Sequence, residues 1–404
     1  MAVRTSQTHP LEIAEVRARP GYGRIGVTFC PGKHDRAAAT GAWARDLAAD
    51  LDALAAWGAR LVLTLVEPAE LVALKVENLG EEVRARGMDW RHLPIADYSV
   101  PGEAFEAQWR ATGRDVRMAL RDGHDIVVHC KGGLGRAGMI AARLLAELGV
   151  PPNDAIKQVR RARKGAIETP SQLAQVRRTT ALDDVLDTAT LEKIGGSLGS
   201  HPAAVYRDED GRRFYVKTVE SPAHARNETL AARLYRLAGA PTLTYVAAKA
   251  PDQVATEFVE LQTAHVSRLS EAERRQAQRW LGVHAWTANW DAAGFDGDNQ
   301  GVANGVVRTL DLGGALEFRA HGDPKGKAFG NAAREIDTLR TDPDNPHAVR
   351  LFAGMTAAEV GEAIAAVLAI PDEAIRRVVA AHGGAPTLAE KLIARKADMA
   401  NRRR

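Results

Sequence analysis

Residues 125–148 read DIVVHCKGGLGRAGMIAARLLAEL, and no other stretch restricts the fold as much. DIVVHC is a short β-branched run, the composition of a strand buried on both faces. The apolar residues of MIAARLLAEL recur at helical spacing. Only a Gly-rich turn fits between them, so the chain passes from strand to helix within a few residues. A buried strand feeding directly into a helix belongs to an α/β layer with a parallel-cored sheet flanked by helices. LVLTLVE (61–67) reads as a second such strand. Residues 36–57 carry Trp43, Leu47, Leu51, Leu54 and Trp57 on one helical face, which predicts a helix there.

The turn itself carries chemistry. Gly132, Gly133 and Gly135, interleaved with Lys131 and Leu134, let successive backbone N–H groups curl around an anion. The N-terminus of the following helix adds positive potential. That field favours a thiolate at Cys130, which makes it a nucleophile. Arg136 presents a planar fork matched to two phosphate oxygens. Nucleophile, anion cradle and guanidinium converge as attack on a phosphate ester requires, whereas a cysteine buried at an ordinary turn needs none of the other two.

HCKGGLGRAG (129–138) resembles the signature loop of the cysteine-dependent protein phosphatases, closest to the small dual-specificity type. The resemblance runs over residues 20–178. It implies a phospho-cysteine on Cys130, a transition state held by Arg136 and the loop N–H groups, and no cofactor. Asp97, in HLPIADYSVPG, stands where the family carries a general acid on a mobile loop; the ester oxygen leaves poorly unless protonated. In RRARKGAIETPSQ, Glu168 and Gln172 fall on positions that orient the hydrolytic water, Glu168 replacing a glutamine of many members. Ala137 follows the arginine where many members have Ser or Thr, a departure that bears on the rate of hydrolysis. His129 is expected to orient the loop and not to act as a base.

Composition limits the partners. The chain has 404 residues, enough for two or three domains, and 45% hydrophobic with 26% charged residues is the balance of a soluble globular chain. A net charge of +3 gives no ground for a nucleic-acid partner. Residues 1–180 hold 26 Lys+Arg against 21 Asp+Glu, an excess that suits an anionic substrate such as a phosphorylated protein or another phosphate monoester. Two cysteines make no disulfide framework, and no apolar run has signal-peptide or membrane-spanning length, so a cytoplasmic protein is expected. Cys30, in FCPGKHD, reads as a structural cysteine; a role in resolving an oxidised Cys130 would need a proximity that sequence does not give.

Near residue 180 the pattern changes. TTALDDVLDTATLEK is polar and acidic, which sets a domain over 1–180, a linker at 181–191 and a second domain over 192–404. GGSLGSHPAAVYRDEDGRRFYVK reads as two alternating strands around a DEDG turn. Gly196, Ser197 and Gly199 form a Gly-rich turn ahead of Lys217 at a strand end, an arrangement that can close over a nucleotide's phosphates. Glu228, on an amphipathic helix, can hold Lys217 by an ion pair. NWDAAGFDGDN offers Asp291, Asp296, Asp298 and Asn299, and VVRTLDLGG presents Asp311 before two glycines. Phosphoryl transfer from ATP needs a carboxylate near the acceptor hydroxyl and oxygen ligands for Mg²⁺.

In this order the elements resemble protein-kinase-like folds, within them the HipA-type and phosphatidylinositol-kinase-like branch, over about residues 192–340. The resemblance implies an α+β domain using ATP and Mg²⁺, with Asp291 catalytic and Asn299 and Asp311 as metal ligands. The interval from Asp291 to Asn299 exceeds the family's usual one, so Asp296 or Asp298 can stand in for either role. Trp280, Trp286 and Trp290 read as core. Lys325 and Lys327, in GDPKGKAFG, stand either at a substrate entrance or on a solvated loop. The whole reads as a bifunctional phosphatase–kinase that hydrolyses phosphotyrosine-, phosphoserine- or phosphothreonine-type esters. The alternative is a phosphatase joined to an inactive kinase-like module that binds nucleotide or protein.

Overall fold

The computed structural model describes residues 3–38, 41–198 and 201–402. The chain forms two compact units, Met1–Asp183 and Asp184–Arg404, and the boundary falls inside the stretch 181–191.

In the first unit the elements run β1 (Ala14–Val16), β2 (Ile25–Phe29), β3 (His34–Asp35), β4 (Trp43–Ala44), α1 (Leu47–Trp57), β5 (Ala59–Thr64), α2 (Pro68–Ala73) and α3 (Leu79–Ala85). They continue as β6 (Asp89–His92), α4 (Glu103–Arg121), β7 (Asp125–Cys130), α5 (Gly135–Glu147), α6 (Pro152–Ala162) and α7 (Pro170–Arg177). The main sheet has the order β1-β2-β7-β5-β6. Strands β2, β7, β5 and β6 are parallel and β1 is an antiparallel edge. Every residue of β7 is buried, as its unbroken apolar run requires, and every residue of α5 is buried behind it. Parallel pairing brings the C-terminal ends of β2, β5 and β7 to one edge, with Phe29 beside Cys130 and Thr64 beside His129.

The helix predicted over 36–57 is shorter. Trp43 lies on β4, paired with Asp35 on β3, and its ring packs on Phe29 at 5.3 Å. Gly41 takes a left-handed φ of 103° ahead of it. The helix starts only at Leu47, where the Asp46 carboxylate accepts from Ala49 N at 2.8 Å. Turn chemistry and the cap outweighed the apolar spacing.

The second unit opens with β8 (Glu192–Gly195), β9 (Ala203–Arg207), β10 (Arg213–Thr218), α8 (Pro222–Leu237), β11 (Tyr245–Val246) and β12 (Gln253–Glu257). These strands form one antiparallel sheet in the order β11-β12-β10-β9-β8, including the hairpin around the DEDG turn. The later part is mostly helical: α9 (Glu271–Gln278) and α10 (Leu281–Trp286), a hairpin of β13 (Gln300–Ala303) and β14 (Val306–Thr309), then further helices to Arg402. The acidic stretch after residue 183 is not a free connector. Leu186 is buried with Phe214 and Val216, and its N–H donates to the Ala247 carbonyl at 2.7 Å. Trp286 is fully buried and donates to the Leu392 carbonyl at 2.9 Å, Trp280 packs against the same core, and Trp290 donates to Asp342 at 3.2 Å. No single helix among the described residues is long and apolar enough to cross a membrane.

Candidate functional site

The loop from Cys130 to Arg136 joins β7 to α5 at the sheet edge where the parallel strands end. Cys130 is buried, and its Sγ accepts from the Gly133 N–H at 3.2 Å. Gly133 has a φ of +70°, and a Cβ there would lie 2.4 Å from the Thr28 backbone, so only glycine lets the loop curl this tightly. Lys131 points partly to solvent, 3.8 Å from Asp35.

Arg136 is the most constrained side chain of the site. Its Nη1 donates to Glu70 Oε2 at 2.5 Å and to the Ile95 carbonyl at 2.9 Å, and its Nη2 donates to Glu70 Oε1 at 2.9 Å. Burial works against the Glu70 charge, yet the guanidinium holds that carboxyl below its ordinary range. Asp97 Oδ1 lies 2.9 Å from Nη2, so the two residues that the sequence singled out as acid and phosphate binder touch. Asp97 is about half exposed, on a loop whose next residue, Tyr98, takes a left-handed φ of 55°. The Nε–H of Arg136 is buried and has no acceptor among the described residues, a donor that a phosphoryl oxygen would satisfy.

His129 supports the loop from behind. Thr64 Oγ1 accepts from Trp90 Nε1 at 2.8 Å and lies 2.8 Å from His129 Nε2, so its own proton is available to that nitrogen. Complete burial drives the imidazole pKa down to about 3, which keeps it neutral and unsuited to a base role near pH 7. Gln172 is fully buried: its Oε1 accepts from Glu168 N and Thr169 N, and its Nε2 donates to the Ser99 carbonyl at 3.2 Å. It therefore ties α7 to the loop that carries Asp97. A Cβ on Gly135 would lie 2.4 Å from Glu168 Oε2 and 3.0 Å from Gln172 Nε2, so both side chains lie directly against the cradle. Cys30 is buried just after β2, its N–H 3.4 Å from the Lys131 carbonyl and its thiol close enough to Cys130 for their charges to interact, and burial pushes that thiol well above the ordinary range.

In the second unit a different set converges. Lys217 on β10 donates to Asp311 Oδ2 at 2.6 Å and lies 3.0 Å from Glu228 Oε1 on α8. Glu228 also accepts from the Tyr245 hydroxyl at 3.1 Å, and its Oε2 is buried with no donor among the described residues. Burial works to raise the Asp311 carboxyl, but Lys217 and the Gly313 N–H hold it below the ordinary range. Asn299 Nδ2 donates to Asp291 Oδ2 at 3.1 Å and to the Asp291 carbonyl at 2.9 Å. Burial, and then the charges of Asp311 and Asp298, push the Asp291 carboxyl up to about 7. Asp296 and Asp298 are exposed. Gly196 and Ser197 lie on an exposed loop after β8, and Gly199 lies outside the described residues. The Lys325 ammonium does not stand free in solvent. Its Nζ donates to the Ala288 and Gly314 carbonyls at 2.6 and 2.7 Å, and burial pushes the ammonium down to about 7. Lys327 is exposed.

Residues 39–149 match the model of a family described as "Polymorphic toxin system, DSP-PTPase phosphatase". That stretch of the first unit is similar to dual-specificity and tyrosine phosphatases. Rat (Rattus norvegicus) cyclin-dependent kinase inhibitor 3 is 31% identical over 133 residues, which is 32% of this chain and 60% of the rat protein. The probable protein tyrosine phosphatase type IVA A of Dictyostelium discoideum is 32% identical over 88 residues, 22% of this chain and 52% of that protein. Thus the chain spans less than two thirds of the length of these curated relatives. Among solved structures, kinase associated phosphatase with its catalytic cysteine changed to serine is 26% identical at a TM-score of 0.37, covering 41% of this chain and 92% of that chain.

Several groups of this phosphatase-like unit were not legible from motifs. Glu70 was missed, although EPAE after a strand is a capping signature: Glu70 closes a capping box with Glu67 at the first turn of α2. Thr64, Trp90 and Ser99 act through partners far along the chain and leave no local signal. In the second unit the same holds for Tyr245, which reaches Glu228.

Proposed function

We propose that the first unit hydrolyses phosphate monoesters through a phospho-cysteine. The observation that carries this reading is the convergence of Cys130 Sγ, the Gly133 N–H, Arg136 and Asp97 on one loop mouth. The Cys130 thiolate attacks phosphorus as the ester P–O bond breaks. Arg136 and the loop N–H groups hold the equatorial oxygens, and Asp97 gives its proton to the departing oxygen. Glu168 and Gln172, against the cradle, orient the water that then attacks the phospho-cysteine, and Asp97 takes up its proton. The substrate class is a phosphotyrosine-, phosphoserine- or phosphothreonine-type ester, or another phosphate monoester, met in the cytoplasm. Trapping 32P on the protein from a labelled aryl phosphate tests the reading: wild type, quenched rapidly in denaturant, should carry label that iodine releases, as a P–S bond requires, and Cys130→Ser none. Labelling of the Ser variant at the wild-type level would reject it.

For the second unit we propose ATP-dependent phosphoryl transfer. Its support is the meeting of Lys217, Glu228 and Asp311 from three separate segments, with Asp291 and Asn299 alongside. The donor set suits Mg²⁺ with ATP: Asp311 is ionised, and Asn299 uses its amide nitrogen on Asp291, leaving its oxygen to ligate. Asp311 and Asn299 would hold the metal, whose chemistry is to neutralise phosphate charge. Asp291 would accept the proton of the acceptor hydroxyl, and Lys217 would bind phosphate. The second reading is an inactive module that binds nucleotide or a protein. The absence of Mg-dependent ATP turnover by the full chain, with nucleotide binding retained, would favour it.

A further inference from the structure

Lys33, between β2 and β3, is a lysine at only 5% exposure, a rare placement for a charge that no carboxylate pairs with among the described residues. Its ammonium lies 4.9 Å from the Phe29 ring centre and 4.6 Å from that of Trp43. Its hydrogen-bond acceptor is the Lys131 carbonyl, at 3.3 Å, which the Cys30 N–H also approaches at 3.4 Å. That carbonyl belongs to the Lys131–Gly132 peptide of the phosphate cradle. No peptide bond among the described residues is cis, so the Gly132 N–H on the same peptide points the opposite way. A cation on the carbonyl side polarises the peptide and strengthens the N–H on the other. The aromatic faces alone would seat a buried lysine, but they do not account for its hold on a cradle peptide.

We infer that Lys33 is a positioning residue of the phosphatase reaction: its ammonium fixes the Lys131–Gly132 peptide with the N–H on the anion's side and adds a positive charge near Cys130. This inference rests on the phosphatase reading of the first unit. Arg136 cannot supply that charge alone, because Glu70 and Asp97 both lie on it. The other charged groups at the loop are Glu168, against Gly135, Lys131, close to Asp35, and Arg163, whose Nε donates to the Gly133 carbonyl at 3.3 Å and whose Nη1 pairs with Glu12. His129 is neutral, and Arg45 is spent on Asp50. Burial lowers the Lys33 pKa, while Cys30, Asp35 and Cys130 oppose that shift and Arg45 adds to it.

The test uses the full chain with Cys30→Ala, so that Cys130 is the sole thiol. Iodoacetamide alkylation of Cys130 is followed by mass spectrometry across pH, beside hydrolysis of para-nitrophenyl phosphate and a thermal melt. Lys33→Met should move the midpoint of alkylation up by about one pH unit and lower kcat/KM by roughly tenfold. Lys33→Arg, which keeps the charge, should leave the midpoint within about 0.3 units of the background. An unmoved midpoint in Lys33→Met overturns the inference. So does a Lys33→Arg midpoint displaced as far as that of Lys33→Met, a comparison that stands even if the methionine variant folds poorly. If the background protein hydrolyses no aryl phosphate, the phosphatase reading falls instead, and the alkylation midpoints still report on Lys33.

Discussion

Glu70 grips both terminal nitrogens of Arg136, at 2.5 and 2.9 Å, from the first turn of a helix 66 residues earlier in the chain. The guanidinium is thereby fixed in its plane before any phosphate arrives, with its third edge, Nε, left for an oxygen. A bidentate pair of this kind sets orientation as well as charge.

Glu70→Gln keeps the shape and loses the charge. Hydrolysis of para-nitrophenyl phosphate should fall roughly 10- to 100-fold in kcat/KM, mainly through kcat, because a misaligned guanidinium weakens the transition state more than the ground state. Stability should fall by up to about 3 kcal/mol in chemical denaturation, since Arg136 remains buried with less compensation. Unchanged kinetics would show that the Ile95 carbonyl and the packing alone orient Arg136.

Asp97→Ala should slow esters with poor leaving groups strongly and activated aryl phosphates much less, because only the former need a proton. A steady-state series over leaving-group pKa reads the difference as a steeper slope. Equal slowing of all substrates would mean that Asp97 serves the loop's shape, through its contact with Arg136.

His129 makes a prediction about acid. Its folded pKa is lowered to about 3 from the ordinary 6.5, so the unfolded chain takes up a proton below pH 6.5 that the folded unit refuses. The stability is whole above pH 6.5 and declines as pH falls towards 3. Between pH 6.5 and 4.5 this one group should remove about 2–3 kcal/mol. Denaturant melts of the first unit's transition should show that decline in wild type and a shallower one in His129→Asn.

Asp311→Asn should abolish Mg-dependent phosphoryl transfer from ATP while aryl-phosphate hydrolysis stays within about threefold of wild type, since Cys130 chemistry uses no metal. Parallel assays on one preparation check both. Loss of both activities would show that the two sites are coupled.

Asp291 gives the same activity a pH profile. Before metal binds, a carboxyl raised to about 7 is protonated below that value and must ionise to accept a proton, so transfer should rise with pH, with a midpoint below 7 once Mg²⁺ is bound beside it. Asp298→Asn removes one of the charges that raise it and should shift the rising limb to lower pH. A limb that stays in place assigns the titration to another group.

The sequence carried the parallel sheet and the cradle because both are local. DIVVHC, the glycines and the helix after them are contiguous, so their spacing states the geometry outright. The helix over 36–57 failed for the opposite reason: a left-handed Gly41 and the Asp46 cap are single-residue signals that apolar periodicity overrides. Glu70, Thr64 and Lys33 escaped notice because their partners lie 65 to 98 residues away, and only the strand register brings them together. The ion pair of Lys217 with Glu228 followed from their order along the chain, but the contact with Asp311 needed the folded unit.

At the far edge of the first sheet, where the parallel strands begin, another arginine does unrelated work. Arg24 binds Asp125 through its backbone N–H, Nε and Nη2, reaches Glu15 and the Trp57 carbonyl, and lies over the Trp57 ring. That clamp rivets β1, β2, α1 and β7 at a place remote from the cysteine loop, across the full length of β7. Assembly and chemistry are thus given to opposite rims of one sheet. A builder of sensors can exploit the separation: an affinity tag or a surface tether inserted in the exposed turn at Gly87, on the riveted rim, leaves the reactive rim facing the analyte.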